Sequence, residues 1–346
     1  MQLLVAKPVV GRTVEPMDGR ENDEEGDGKT YNNNNYYYKS TNDLNQTTQD
    51  FKTLCPGQGC LTVVVTATAR TIDLALATVT DDGVLMLGSP AMGDRLMAWF
   101  DRYIFPMDRV TLSDCTDTTA TFTVLGAQGQ AVLEQLGFRD LASLAPYAHQ
   151  SLMWEGQEIR AIADSGLARP GYTLWVDAAG AAPLWQYLIE SGAIPAGEQC
   201  WETWRIEDGV PKPGCELTDD FNPLEAGLWH AVSIDKGCYI GQETIARLNT
   251  YDGVKQFLYG VKLTQFLEPG TKLRTPDGNR AGVVTSCLPT EEGALGLAYI
   301  RRKQCEVGTA LVGDRPEHEA PAVILPEGTI LDIPFPVRSN PTAANP

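Results

Sequence analysis

The sequence predicts an α+β protein made of two sheet-plus-helix domains followed by an all-β, barrel-like domain, and three observations lead there. Strand patterns come in runs punctuated by single amphipathic helices, which separates α+β from a doubly wound α/β sheet. Neither G-x-G-x-x-G nor a Walker loop occurs, so the phosphate-cradling turn of a nucleotide fold is missing. Beyond Val254 helical periodicity stops, and short apolar runs split by Gly and Pro take over.

Residues 1–44 stand apart from the rest. They are acidic from Glu21 to Asp27, then carry Tyr31, four asparagines and Tyr36 to Tyr38, with almost no aliphatic periodicity. That composition buries too little apolar surface to offset its ordering entropy and predicts disorder. Three strands are expected over 61–66, 71–79 and 84–87, where β-branched residues and leucines dominate. Leu96, Trp99, Phe100, Tyr103 and Ile104 then recur at helical spacing within 94–105, the stripe of a helix lying on a sheet. A strand over 119–125 and a helix over 130–136, stopped by Gly137, complete the first unit. A second unit has strands over 159–162 and 172–176 and a helix over 183–190, with Pro183 in its first turn and Gly192 as its stop. In the C-terminal part, strands are expected over 257–263, 271–274, 281–286, 294–299 and 330–335. Pro276-Asp277-Gly278-Asn279 supplies a hairpin turn, and the chain from Arg338 reads as a loose tail. The resulting division is 1–44, 45–137, 138–253, 254–337 and 338–346.

At 346 residues the chain exceeds the size of a single core. Twenty-seven basic against 45 acidic residues give a net charge of −18, which repels phosphate backbones and anionic membranes and argues against direct nucleic-acid binding. A small anion remains compatible with a local cation cluster, for which Lys236, Arg205 and Arg247 are the candidates. The eight cysteines include no C-x-x-C pair, and the three histidines are far apart, so neither a zinc ribbon nor a Ser-His-Asp triad is indicated. No apolar run is long enough to span a bilayer, and no secretory or transit signal opens the chain, which makes the cytoplasm the expected location.

The chemistry concentrates in Lys236-Gly237-Cys238-Tyr239-Ile240-Gly241-Gln242-Glu243. In an extended segment residues i and i+2 share a face, so the Lys236 ammonium is expected beside the Cys238 sulfur, favouring a thiolate. Ile245 and Leu248 mark a following helix, with Asp252-Gly253 as its stop, and its N-terminus adds positive potential near the thiol. Gly237 and Gly241 leave the backbone bare for a ligand. The plainer alternative is a buried, inert Cys238.

This octapeptide resembles the K-G-C-Y-x-G-Q-E signature of the YgfZ family, folate-binding relatives of the glycine-cleavage aminomethyltransferases that support iron–sulfur enzymes. Asn45-Gln46-Thr47-Thr48-Gln49-Asp50, Arg205-Ile206-Glu207-Asp208-Gly209 and Pro223-Leu224-Glu225-Ala226-Gly227-Leu228 resemble further family segments, so the likeness runs from about 45 to 335. It implies two ferredoxin-like folate-binding domains with a β-barrel, tetrahydrofolate or a one-carbon derivative as ligand, and iron–sulfur enzymes or assembly proteins as partners, tRNA-modifying enzymes among their clients. By the same resemblance Cys238 is the reactive group and Lys236 its activator. Arg205, Glu207 and Asp73 hold the pterin or glutamate moiety, and Tyr239, Gln242, Glu243 and Arg247 complete the pocket. The aminomethyltransferases carry two adjacent aspartates where this chain has Ile72-Asp73-Leu74, and a folate-contacting Glu falls near Thr173. Both departures weigh against full aminomethyl transfer. A folate-dependent aminomethyltransferase and a non-catalytic iron–sulfur scaffold stand as the alternative readings.

Overall fold

The structure, a computed structural model, describes residues 2–7, 10–15, 45–106, 110–304, 306–314 and 327–331. In chain order the first strands are β1 (Gln2–Lys7), β2 (Val10–Glu15), β3 (Gly59–Val65), β4 (Thr71–Val79) and β5 (Val84–Gly88). Helix α1 (Gly93–Asp101), β6 (Thr111–Asp114), β7 (Thr119–Leu125) and α2 (Gly129–Leu136) follow. Next come β8 (His149–Trp154), β9 (Gln157–Ile162), β10 (Gly171–Asp177), α3 (Ala178–Glu190), β11 (Ala193–Ala196), α4 (Glu198–Glu207) and α5 (Gln242–Thr250). Six strands close the chain: β12 (Gln256–Leu263), β13 (Lys272–Arg274), β14 (Arg280–Thr290), β15 (Gly293–Arg301), β16 (Ala310–Gly313) and β17 (Glu327–Leu331).

These elements form two sheets with helices and a closed barrel, the α+β architecture expected. One sheet has the order β3-β4-β5-β2-β6 and the other β11-β1-β7-β10-β9-β8. The expectation of disorder over residues 1–44 is therefore corrected for residues 2–7 and 10–15. β1 sits between β7 and β11 in one sheet, and β2 sits between β5 and β6 in the other. The reason is non-local: each N-terminal strand pairs with residues 70 or more positions away, so the acidic composition that follows says nothing about it. The remaining acidic and Asn/Tyr-rich stretch lies outside the described residues, as does the tail from 338. The boundary expected near 137 also moves, because β7 pairs with β1 and β10 and belongs to the second sheet.

Amphipathic helices cover the sheets as their periodicity requires. Leu96 and Phe100 of α1 are buried with Val64 and Ile72. Val132, Leu133 and Leu136 of α2 join Leu184 and Leu188 of α3 over Phe122, Val124, Ile159 and Leu174. α1 stops at Asp101, short of Tyr103 and Ile104. α3 starts earlier than the Pro183 signal suggests, with Asp177 at its N-cap and the proline inside. The Ala-rich first turn carries no periodic signal, yet a Cβ on Gly180 would lie 2.7 Å from Val176 Cγ2, so the turn packs closely on β10. The barrel runs β12-β15-β14-β13-β16-β17 and back to β12, with Val261, Leu273, Val284, Ala298, Ile300 and Leu311 inside.

A central core welds the parts together. It joins Val63 and Val65 of β3, Ile206 of α4, Leu217, Leu224, Trp229, Tyr239 and Ile245 from the connecting segment, and Leu258, Leu297 and Tyr299 of the barrel. Phe221 stacks on Tyr299 with centroids 3.6 Å apart, which fixes the connecting segment against the barrel wall. The octapeptide meets this core through Tyr239.

Candidate functional site

The site is built from β4, the segment 45–49 and the octapeptide. A bulge in the β3–β4 pairing falls at Val64/Val65, where the partner of Val64 is Asp73 and the partner of Val65 is Thr71. Asp73 is fully buried. Its Oδ1 accepts from the Leu74 N–H and, at 2.6 Å, from the Ser89 hydroxyl, and its Oδ2 accepts from the Ser89 N–H. Burial outweighs these bonds and pushes the carboxyl up to about 6.

Segment 45–49 crosses from this sheet to the octapeptide. Thr47 bridges to Val64, and the Thr48 N–H donates to the Val63 carbonyl. On the other side the Ser233 N–H donates to the Thr48 carbonyl, the Ile240 N–H donates to the Asn45 carbonyl at 2.6 Å, and Thr48 Oγ1 donates to the Ala231 carbonyl. Lys236 closes the arrangement, with Nζ 2.9 Å from the Thr47 carbonyl and 2.7 Å from the Gln49 carbonyl and 5.2 Å from the Tyr239 ring centroid. Two segments that resemble separate motifs in the sequence thus form one structural unit. Desolvation pulls the Lys236 ammonium down to about 8, because neutral carbonyls and a ring face replace water only in part.

This geometry corrects the expected Lys236–Cys238 pairing. The loop is turned, not extended, so Lys236 is buried while Cys238 is exposed. The buried thiol that feels the ammonium is Cys60, although desolvation dominates there and pushes it up to about 12. Gln242 returns its side-chain N–H to the Lys236 carbonyl and holds the turn shut. Tyr239 is buried in the central core, while Glu243 and Arg247 are exposed on α5. Gly237 has open space around it. Gly241 does not: it has φ +82°, and a Cβ there would lie 2.8 Å from the Thr66 carbonyl oxygen and 3.1 Å from Ala69 Cα. Its bareness serves the contact with the 66–70 turn instead of a ligand.

Arg205 lies elsewhere, at the seam between α4 and the barrel. Its Nε and one terminal nitrogen bind both oxygens of Glu202, and the other terminal nitrogen binds the Val210 carbonyl at 2.8 Å and Glu216 Oε2 at 3.2 Å. Ser286 Oγ is a further acceptor at 2.8 Å. The carboxylate held in the fork is therefore Glu202, not that of a ligand, and Glu207 pairs with Arg169 at 2.7 Å. Glu216 is fully buried and also accepts from the Thr285 and Ser286 hydroxyls.

Residue-by-residue reasoning passed over several members of the site. Ser89, the partner of Asp73, has no local signal. Gln46 and Thr47 lie within a motif, but nothing in it shows that Gln46 Oε1 and Thr47 Oγ1 end buried and without hydrogen-bond partners. Glu202, three residues before Arg205 on one helix face, was open to detection by spacing. A separate cleft of 290 Å³ lies between the β4–β5 turn and β9–β10, lined among others by Asp82, Cys115, Arg160 and Trp175. Above it His149 bridges the sheets: Nε2 is 2.8 Å from the Val79 carbonyl, and Nδ1 accepts from Arg160 at 2.9 Å. No helix among the described residues is long and apolar enough to cross a membrane.

The GCVT N-terminal domain matches residues 42–236, more than half of the chain and all of the segment that joins 45–49 to Lys236. The chain belongs to this family. A chloroplastic candidate transferase of Arabidopsis thaliana is 38% identical over 304 residues, covering 87% of this chain and 68% of its own length. An aminomethyltransferase of Rubrobacter xylanophilus is 30% identical over 284 residues, covering 81% of this chain and 75% of its own. In three dimensions this GCVT-family chain is similar to the crystal structure of the glycine cleavage system aminomethyltransferase T from Bartonella henselae. The TM-score is 0.77 at 17% identity, over 98% of this chain and 87% of the other, a likeness of fold.

Proposed function

We propose that this GCVT-family chain is a tetrahydrofolate-binding protein of the YgfZ type, in which the exposed thiol of Cys238 serves the maintenance of iron–sulfur enzymes. The observation that carries the reading is the union of segment 45–49 with the octapeptide beside a buried Asp73. A reduced folate supplies ring nitrogens that carry a one-carbon unit. Asp73, with its carboxyl pushed up to about 6, is suited to exchange a proton with such a nitrogen near neutral pH, and Ser89 holds both of its oxygens in place. Unpaired buried oxygens on Gln46 and Thr47 fit a hydrogen-bonding heterocycle. Arg205 does not fit as a clamp for the glutamate tail, since Glu202 and Glu216 already occupy it. Arg247, exposed on α5, is the cation left for that tail among the residues singled out in the sequence.

A second reading, folate-dependent aminomethyl transfer, is favoured by the aminomethyltransferase relatives and by Asp73 itself. Incubating the purified protein with tetrahydrofolate and an aminomethyl-lipoylated carrier separates the two. Saturable folate binding without methylene-tetrahydrofolate formation is expected. Steady product formation would establish the second reading, and absence of folate binding would overturn both.

A further inference from the structure

His149 joins the two sheets through contacts that only its neutral form can make. It opens β8 at the edge of one sheet, and Val79 ends β4 in the other. Its main-chain N–H donates to the Gly57 carbonyl at 2.9 Å, and the Gly57 N–H donates to the Val79 carbonyl at 3.0 Å. The residue is 7% exposed, with Nε2 2.8 Å from the same Val79 carbonyl and Nδ1 2.9 Å from Arg160 Nη1. A carbonyl can only accept and a guanidinium can only donate, so the two contacts together place the ring proton on Nε2 and a lone pair on Nδ1. The junction is also tight: a Cβ on Gly59 would lie 2.5 Å from the Tyr147 carbonyl oxygen and 2.6 Å from that of Ala77.

An imidazolium in this place would aim a second N–H at the Arg160 guanidinium. The charged groups that bear on the ring come from two elements: β9 supplies Arg160 and Glu158, themselves paired at 2.8 Å, and the β4–β5 turn supplies Asp81. Burial, joined by the facing guanidinium, holds the imidazole below its ordinary 6.5 against the Val79 bond and the two carboxylates. The folded protein therefore binds this proton more weakly than the unfolded chain. The ring's contribution to stability is complete above pH 6.5 and is lost as pH falls. Arg160 also lines the 290 Å³ cleft together with Asp82 and Glu158, so a guanidinium expelled from Nδ1 has carboxylates to turn to.

We propose that His149 is an acid-sensitive latch between the two sheets: neutral, it binds Val79 and Arg160 at once and holds the junction shut, and on protonation it releases Arg160 into the cleft and loosens the junction. The step is the uptake of one proton from solvent onto Nδ1, in place of the hydrogen bond from Arg160. It uses none of the residues assigned to folate and stands apart from that reading.

Nitrogen-15 NMR of the imidazoles and amide hydrogen exchange, both on the full chain from neutral to mildly acidic pH, test it. The chain has three histidines, and spectra of His230→Gln and His318→Gln assign His149 by elimination. At neutral pH Nδ1 should carry no proton, and the ring should titrate with a midpoint below 6.5. Arg160→Met should move that midpoint upward, because the facing charge is gone. Protection of the His149 and Gly57 amides should fall with pH below 6.5, by up to about tenfold per pH unit for one linked proton. His149→Gln keeps a side-chain N–H for Val79 but takes up no proton, so it should lose that dependence. Asp73 titrates in both proteins, and the difference between them isolates the histidine. A midpoint at or above 6.5, or one unmoved by Arg160→Met, would overturn the latch. So would a proton on Nδ1 at neutral pH, or protection that is constant with pH or falls alike in His149→Gln. Should His149→Gln fail to fold, the wild-type and Arg160→Met titrations decide the matter.

Discussion

Two buried cations, Arg205 on α4 and Lys236 in the octapeptide, differ in what their described partners are. Arg205 is matched by the carboxylates of Glu202 and Glu216, and these raise its pKa against the opposing effect of burial. Lys236 is held by main-chain carbonyls and an aromatic face, and burial lowers it to about 8. The first arrangement is a weld: charge is matched, hydrogen bonds converge, and α4 is fixed to β14 through Ser286. The second is a clasp whose cation is costly to keep charged, and it fastens the 45–49 segment to the octapeptide beside the candidate site. Matched charge therefore marks the structural seam, and partly matched charge marks the place where chemistry is expected.

The comparison is most severely tested at Glu216. Glu216→Ala leaves the Arg205 guanidinium short of a carboxylate and the Thr285 and Ser286 hydroxyls short of an acceptor, at a cost of about 3–5 kcal/mol. Chemical denaturation should show that loss. A change below about 1 kcal/mol, the range of surface ion pairs, would mean the seam is not welded by charge.

Asp73 gives the next largest effect, and it depends on pH. Its folded-state carboxyl stands at about 6 against an ordinary 3.8. The folded protein therefore holds this proton more tightly than the unfolded chain, and the group's contribution to stability falls as pH rises from 4 to 6. The span corresponds to about 3 kcal/mol at 1.36 kcal/mol per unit. Asp73→Asn should lack that slope. Parallel stability–pH curves for the two proteins between pH 4 and 6 would contradict the buried-acid assignment.

How much of this was legible beforehand depends on the distance over which each signal acts. Helix α1 shows in the spacing of Leu96 and Phe100, and the barrel in the Gly- and Pro-punctuated runs after Val254, because both patterns are local. β1 and β2 are hidden because their partners lie far along the chain: β1 pairs with residues from 121 to 125 and from 193 to 196. The site divides in the same way. Lys236, Cys238 and Asp73 could be singled out by residue type and by motif, but the partners of the Lys236 ammonium are 187 and 189 residues away, so the sequence pointed to the neighbour at i+2. Arg205 misled for a related reason, since Glu216 and Ser286 reach it from 11 and 81 residues off.

Glycines of the octapeptide sharpen the comparison at a smaller scale. Gly241→Ala places a Cβ on a backbone with φ +82° and against the Thr66 carbonyl, so a loss of about 1–3 kcal/mol is expected. Gly237→Ala enters open space and should change stability by about 0.5 kcal/mol or less. Thermal melts of the two single variants check this. Equal losses would show that the loop is held alike on its two sides of Cys238 and would contradict this contrast.

The claim that Lys236 is a desolvated clasp is tested most directly by following its own titration. In protein labelled with carbon-13 at the lysine Cε, the Lys236 resonance can be assigned as the one missing from Lys236→Met. An inflection near pH 8 is predicted, as burial against neutral carbonyls requires. An inflection at or above the ordinary 10.5 would mean that the ammonium is solvated or paired with a carboxylate, and would contradict the clasp.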